Sequence, residues 1–267
     1  MRKIAVLMAA LGLAAVLNGC GSGLTQSQQV LEMETEDVLV LSDGQAVDCW
    51  REYETFPDTD VHLPSGWVDY CLEDGTVLLQ EQDLYPPALP ETLPEQVRQS
   101  IQNHYARQGR RYSAESLLQG AYAEYKKDPA SFSPWMARQN TWETALAERV
   151  VYVVTDVTLP LSGREQTSYP VGAAFDRTTG EKLSFWSLCA VPEAEAKEML
   201  LGQVDPEDPR RAPMLEALTE DMVVIAGDHY RISYPVGTLP GEELGTLLSG
   251  ELPEGLLQPW AVPEAQS

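Results

Sequence analysis

Hydrophobic and polar positions follow two different periods along the chain. The runs Val38 to Leu41 and Gln45 to Trp50 flank Asp43-Gly44, and Trp67 to Leu72 and Thr76 to Gln80 flank Asp74-Gly75. Asp-Gly between β-rich runs predicts a hairpin, because glycine supplies the positive φ that the turn requires. The two predicted hairpins form a weak internal repeat, each with a cysteine near its turn, and Pro57 to Pro64 is the loop between them. Tyr85-Pro-Pro-Ala-Leu-Pro90 reads as a stiff connector and a boundary. Beyond it the period becomes helical. Val97, Ile101 and Tyr105 share one face behind Pro94, and Ser113 is placed to cap a second helix striped by Leu117, Leu118, Ala121, Tyr122 and Tyr125. Such a stripe predicts a face turned to a core.

The strongest strand signal is Arg149-Val-Val-Tyr-Val-Val-Thr155, within Glu148 to Leu159, and Thr167 to Phe175 reads as its partner across a turn at Pro160 to Gln166. β-Branched and aromatic residues suit a pleated, packed surface. Asp176-Arg-Thr-Thr-Gly180 predicts a turn. A helix is expected over roughly Pro192 to Leu201, a loop at Asp205-Pro-Glu-Asp-Pro209 and a short helix around Met214, Leu215 and Leu218. A last strand pair, Met222 to Ala226 and Tyr230 to Tyr234, flanks Gly227-Asp228. Glu242 to Leu248 reads as a helical turn, and the Pro- and Glu-rich tail as loose. The order predicts an α+β fold: a mostly antiparallel sheet with packed helices, preceded by a small β-hairpin module. The expected divisions are a module over 37–86, a main domain over 87–250 and a tail over 251–267.

The N-terminus has a different character. Arg2 and Lys3 precede the uncharged run Ile4 to Leu17. That run suits a signal peptide and falls short of the ~20 apolar residues that a membrane span needs. It ends in Leu17-Asn18-Gly19-Cys20, which resembles the lipobox of bacterial lipoproteins, although Asn18 is not the commonest residue at its place. The resemblance implies a signal peptide over 1–19, an acylated Cys20 as mature N-terminus, a flexible tether over 20–36, and an extracytoplasmic protein held to the cell membrane by lipid.

The chain carries 18 Lys+Arg and 41 Asp+Glu, a net charge of −23, and loss of two cations with the signal takes it to −25. Such a field repels nucleic acid and anionic headgroups, favours solubility and suits a cationic partner. At 43% hydrophobic the chain can bury a core. With Cys20 lipidated, Cys49, Cys71 and Cys189 remain, so at least one stays unpaired. Cys49 and Cys71 lie on neighbouring predicted hairpins, where a disulfide is compatible with an oxidising compartment. Cys189 stands in an apolar stretch and reads as a buried small hydrophobe.

Motifs that carry chemistry are missing. His62, His104 and His229 show no helical metal spacing, and HExxH, CxxC, G-x-S-x-G, S-x-x-K, the P-loop and GxGxxG are all absent. Asp205, Glu207 and Asp208 lack the glycine of a known calcium loop and read as a solvated acidic turn. No metal and no cofactor is expected. A glycosidase-type carboxylate pair is defined by separation in space, and nothing in the sequence singles one out. Trp50, Tyr53, Trp67 and Tyr70 cluster in the hairpin module. Aromatics on a sheet can hold sugars or peptides, and they also fill the core of a small module, which general burial tendencies favour.

The segment Val171-Gly-Ala-Ala-Phe-Asp-Arg-Thr-Thr-Gly-Glu-Lys-Leu-Ser184 resembles a signature of the RsiV-like extracytoplasmic domains: a strand, Phe-Asp, a Thr-Gly turn and a Leu-containing start to a helix. The helix from Glu95, the run Thr219 to Ile225 and Tyr230-Arg-Ile-Ser-Tyr-Pro235 fit the same pattern, over roughly Leu89 to Leu248. The family's His-containing stretch is replaced here by Thr167-Ser-Tyr-Pro-Val-Gly-Ala173, and the spanning helix of an anti-sigma factor is missing. The resemblance implies a cell-envelope setting and a protein or glycan ligand, and carries over no catalytic residue. The expected function is therefore a non-enzymatic surface lipoprotein that binds a basic protein, such as a lysozyme, or a cell-wall glycan. The alternatives are an accessory protein of an envelope hydrolase or deacetylase, or a carboxylate-based envelope hydrolase.

Overall fold

The computed structural model describes residues 30–56, 61–82, 85–162, 165–241 and 245–264, with the side chains of 30–37, 52–56, 61–65, 162 and 165 outside the description. The stretch expected as a signal peptide and Cys20 lie outside the described residues. The fold is α+β, built on a mostly antiparallel eight-stranded sheet.

Strands β1 (Val30–Val40), β2 (Ala46–Phe56), β3 (Val61–Cys71) and β4 (Val77–Gln82) make the two expected hairpins. Strand β1 begins inside the stretch expected as tether, since backbone pairing with β2 from Val30↔Thr55 onward needs no apolar run. The two turns repeat one geometry. Leu41 N–H reaches Gln45 O at 2.8 Å and Gly44 N–H reaches Leu41 O at 2.9 Å; Leu72, Thr76 and Gly75 make the same pair of bonds at 2.9 and 2.8 Å. Gly44 and Gly75 take φ of 88° and 86°, the left-handed position that closes a three-residue hairpin loop.

Helices α1 (Glu95–Gln108) and α2 (Ala114–Lys127) form the crossover from β4 to β5 (Trp135–Leu146), which pairs with β4 in parallel through Leu79↔Trp135 to Glu81↔Ala137. Parallel neighbours need such a long connection. Ser113 caps α2 by accepting from Ser116 N–H at 3.1 Å. The boundary expected at residue 86 thus falls inside one sheet. It also falls inside one core, where Val47, Leu78 and Leu79 pack with Leu118, Ala121 and Ala137.

Strands β6 (Val150–Ser162) and β7 (Glu165–Asp176) continue the sheet, and the two-residue β8 (Lys182–Leu183) ends it. The run Val150 to Val154 is buried throughout because it is covered on both sides. Val151 and Val153 face Val97, Ile101 and Tyr105 of α1 together with Phe175. Val150 and Tyr152 face the largest core. That core is closed by α3 (Phe185–Leu188), α4 (Glu193–Leu200), α5 (Arg211–Ala217) and a second sheet of β9 (Val223–Ala226), β10 (His229–Tyr234) and β11 (Thr246–Glu251), ordered β11-β10-β9. A Cβ on Gly172 of β7 would stand 1.8 Å from Val223 O, so glycine is what lets the second sheet approach the first.

Two expectations fail in the last quarter. The helical turn expected over Glu242 to Leu248 is strand β11 from Thr246; 242–244 lie outside the described residues. Gly250 sits opposite Tyr230, where a side chain would meet that ring at 3.1 Å, so backbone pairing decides the element. The tail expected to be loose is pinned over its described residues. Leu256 and Ala261 are fully buried, Ala190 N–H donates to Leu256 O at 2.8 Å, and the Tyr152 hydroxyl donates to Ala261 O at 2.7 Å.

Candidate binding surface

The signature that carries the family resemblance is accounted for by packing. Asp176 Oδ1 accepts Thr178 N–H at 2.8 Å and Thr179 N–H at 3.0 Å, which closes the turn. Gly180 has φ of 71°, and a Cβ there would lie 2.6 Å from Ser100 Cβ and 2.8 Å from Val97 O. The turn therefore seats α1 on the sheet.

Alternation along β2 and β3 divides the predicted aromatic cluster between two faces. The register pairs Cys49 with Tyr70, Trp50 with Asp69 and Asp48 with Cys71. Val47, Cys49, Val68 and Tyr70 point to the core under α2. Asp48, Trp50, Trp67, Asp69 and Cys71 occupy the reverse face, where Val38 and Val40 of β1 are 50% and 66% exposed. Trp50 and Trp67 are half-buried. The side chain of Tyr53 lies outside the described residues. Gln80 Nε2 donates to Asp69 Oδ1 at 3.0 Å, steadying that carboxylate beside Trp67. Asp48 and Asp69 were not singled out in the sequence. Their signal is their phase, since each stands two residues from a tryptophan on the same strand and so on the same face.

The same register overturns the expected Cys49–Cys71 disulfide. Both side chains are buried and leave the sheet on opposite faces, which no bridge of normal geometry spans. Burial, with Asp69 and Asp48 nearby, pushes the Cys71 thiol up to about 12. Cys189 is a buried small hydrophobe as expected, its thiol pushed up to about 11 by burial.

Beneath the tryptophan face lies a buried charge that the sequence left unmarked. Glu81 of β4 is completely buried. Tyr70 Oη donates to its Oε2 at 2.8 Å, and Arg110 Nε, from the loop joining α1 to α2, donates to its Oε1. Burial and the Glu81 charge push the Tyr70 phenol well above its ordinary value. Burial draws the Arg110 guanidinium down, but the Glu81 carboxylate outweighs it and raises the group further. The same loop is clamped from β5, where Gln139 Oε1 accepts Arg111 N–H at 2.9 Å and Gln139 Nε2 donates to Gly109 O at 3.1 Å. Glu81 stands two residues after Leu79, in the inward phase of the strand, and this was the available signal.

The remaining candidates are dispersed. His104 packs edge-on against Phe175 and is drawn below its ordinary value by burial and by Lys182 and Arg107. His229 Nδ1 lies 2.6 Å from Asp228 Oδ1 at an exposed turn. His62 falls in β3, with its side chain outside the described residues. Among the described residues no group of three His, Cys, Asp or Glu is placed to hold a metal ion. No helix among them is long and apolar enough to cross a membrane. Glu143 on β5 is a carboxyl held above its ordinary value by burial.

No family model matches the chain, and no curated protein matches it. Similar solved structures include a member of the DUF3298 family from Bacteroides fragilis, 11% identical, with 87% of this chain and 96% of that one covered and a TM-score of 0.43. A DUF3298 family protein from Pseudomonas aeruginosa is 14% identical, with 89% and 96% covered and a TM-score of 0.33.

Proposed function

We propose that this chain is a lipid-anchored, extracytoplasmic binding protein without catalytic chemistry of its own, and that its ligand is a basic protein. The observation that carries the reading is the reverse face of the hairpin sheet. There Trp50 and Trp67 stand half-buried, each beside an aspartate in phase with it, on a sheet whose other face is closed by α2. Large amphipathic rings give contact area with little loss of side-chain freedom, and flanking carboxylates select a cationic partner. The net charge of −23 would steer such a partner from a distance. The cell-envelope setting is supported by the lipobox resemblance at Cys20 and by the RsiV-like resemblance at Val171 to Ser184.

The test is capture of the mature chain, made as Cys20→Ser to avoid the lipid, on immobilised lysozyme as a basic-protein probe and on purified peptidoglycan, at low and moderate salt. Salt-sensitive capture on lysozyme that is lost in Trp50→Ala/Trp67→Ala supports the reading. Capture on peptidoglycan alone would replace the protein ligand by a glycan. Capture on neither would end both forms.

A further inference from the structure

A second surface lies in the other sheet. β11 pairs with β10 from His229↔Glu251 to Tyr234↔Thr246 without a register shift, and no described strand pairs with its other side. That side borders an open groove of about 400 Å³, whose lining includes Leu247, Leu248 and Ser249. Three consecutive residues of a strand can border one groove only through its edge, because alternate side chains point to opposite faces. The groove therefore runs along the open edge of β11. Leu247 is 58% exposed beside it.

Proteins that leave an edge open usually blunt it with lysine, proline or a bulge. The strand Thr-Leu-Leu-Ser-Gly-Glu carries none of these. The facing wall is the loop at Asp205 to Arg210, and it is preformed. Asp205 Oδ1 accepts Glu207 N–H at 2.9 Å, Asp208 Oδ1 accepts Arg210 N–H at 2.8 Å, and Arg211 Nη1 donates to Val204 O at 2.8 Å. Arg210 pairs with Asp208 at 2.8 Å. Asp205 is exposed at the rim.

We propose that this groove accepts an extended basic peptide segment, which adds to β11 as a fourth strand of the second sheet and sets a lysine or arginine against Asp205. Main-chain hydrogen bonds to the edge provide affinity, and the acidic wall provides selection, the division of labour in strand addition. The site is independent of the tryptophan face and shares no residue with it.

The probe is a short peptide alternating threonine and lysine, read by fluorescence anisotropy against the mature Cys20→Ser chain, with amide chemical shifts of β11 followed by NMR. The lysine peptide should bind and shift the amides of Leu247 to Ser249. A glutamate-for-lysine peptide and a backbone N-methylated lysine peptide should each bind at least ~10-fold more weakly, the factor that one charge-assisted contact carries. Asp205→Asn keeps the acceptor for Glu207 N–H and should weaken the lysine peptide. Leu247→Lys, at an exposed position, should abolish binding with the urea midpoint unchanged, whereas Trp50→Ala/Trp67→Ala should leave it intact. Equal binding of the N-methylated peptide, amide shifts confined to β1–β4, or no binding would overturn the proposal.

Discussion

The Tyr70 hydroxyl donates a 2.8 Å hydrogen bond to the fully buried carboxylate of Glu81. This contact ties β3 to β4, and the Arg110 guanidinium ties the same carboxylate to the helical crossover. Glu81 has no route to water, whereas the Arg110 side chain is 39% exposed. The two ends of the pair should therefore respond unequally. Arg110→Met leaves a buried charge without its partner and should destabilise by about 3 kcal/mol, the lower end expected for breaking a buried pair. Glu81→Gln in the same background should recover part of that loss. Urea unfolding of the two single variants and the double variant measures both, and strict additivity would contradict the coupling.

Glycine replacements should rank by what a Cβ would meet. Gly44→Ala faces open space and should cost only the left-handed backbone, about 1–2 kcal/mol. Gly180→Ala adds contact with Ser100 and Val97 O and should cost about 3 kcal/mol, strain and overpacking together. Gly172→Ala would drive a methyl into Val223 O and should exceed about 4 kcal/mol or prevent folding. Thermal melts of the three variants check the order.

Alkaline stability has a defined sign. Burial raises Cys189 from 9.0 to about 11, Cys71 from 9.0 to about 12 and Tyr105 from 10.0 to about 12. The folded chain thus holds these protons more tightly than the unfolded chain. The stabilisation is complete below the unfolded values and is lost as pH rises through about 9 to 12. The urea midpoint should fall across that window, in step with tyrosinate absorbance. A flat midpoint would count against the burial of these groups.

Thiol titration tests the absence of a Cys49–Cys71 disulfide. Cys49, Cys71 and Cys189 are buried and form no disulfide with one another, so the Cys20→Ser chain should react slowly with a thiol reagent when folded and release three equivalents in guanidinium. A single equivalent would mean that Cys49 and Cys71 are joined after all, which requires rearrangement of β2 against β3.

Removal of residues 252–267 should unfold the protein rather than trim it. Leu256, Leu257 and Ala261 are buried in the largest core, and exposing a large apolar side chain costs about 1.5–3 kcal/mol each, against a whole-domain stability of about 5–15 kcal/mol. A soluble truncated chain with a cooperative melt would contradict this.

Elements whose signal is local are legible in the residues alone. The Asp-Gly turns, the Ser113 cap of α2, the apolar faces of α1 and α2, and the apolar run of β6 are each specified by residues within a few positions of one another, and each formed where expected. Strand β5 was not expected, because its buried positions are Ala137, Gln139 and Ala145, small or polar side chains that give no hydrophobic alternation. Its place is set by β4 and β6 on either side. The same holds for β11 and the tail, which are fixed by partners in β10, α3 and β6. Strand pairing and packing set the rest: Cys49 and Cys71 diverge, Trp50 and Trp67 share a face which Tyr70 leaves, and Glu81 meets Arg110. Strand phase is readable along one chain, but register and burial come from pairing with segments distant in sequence, and those pairings set which side chains meet.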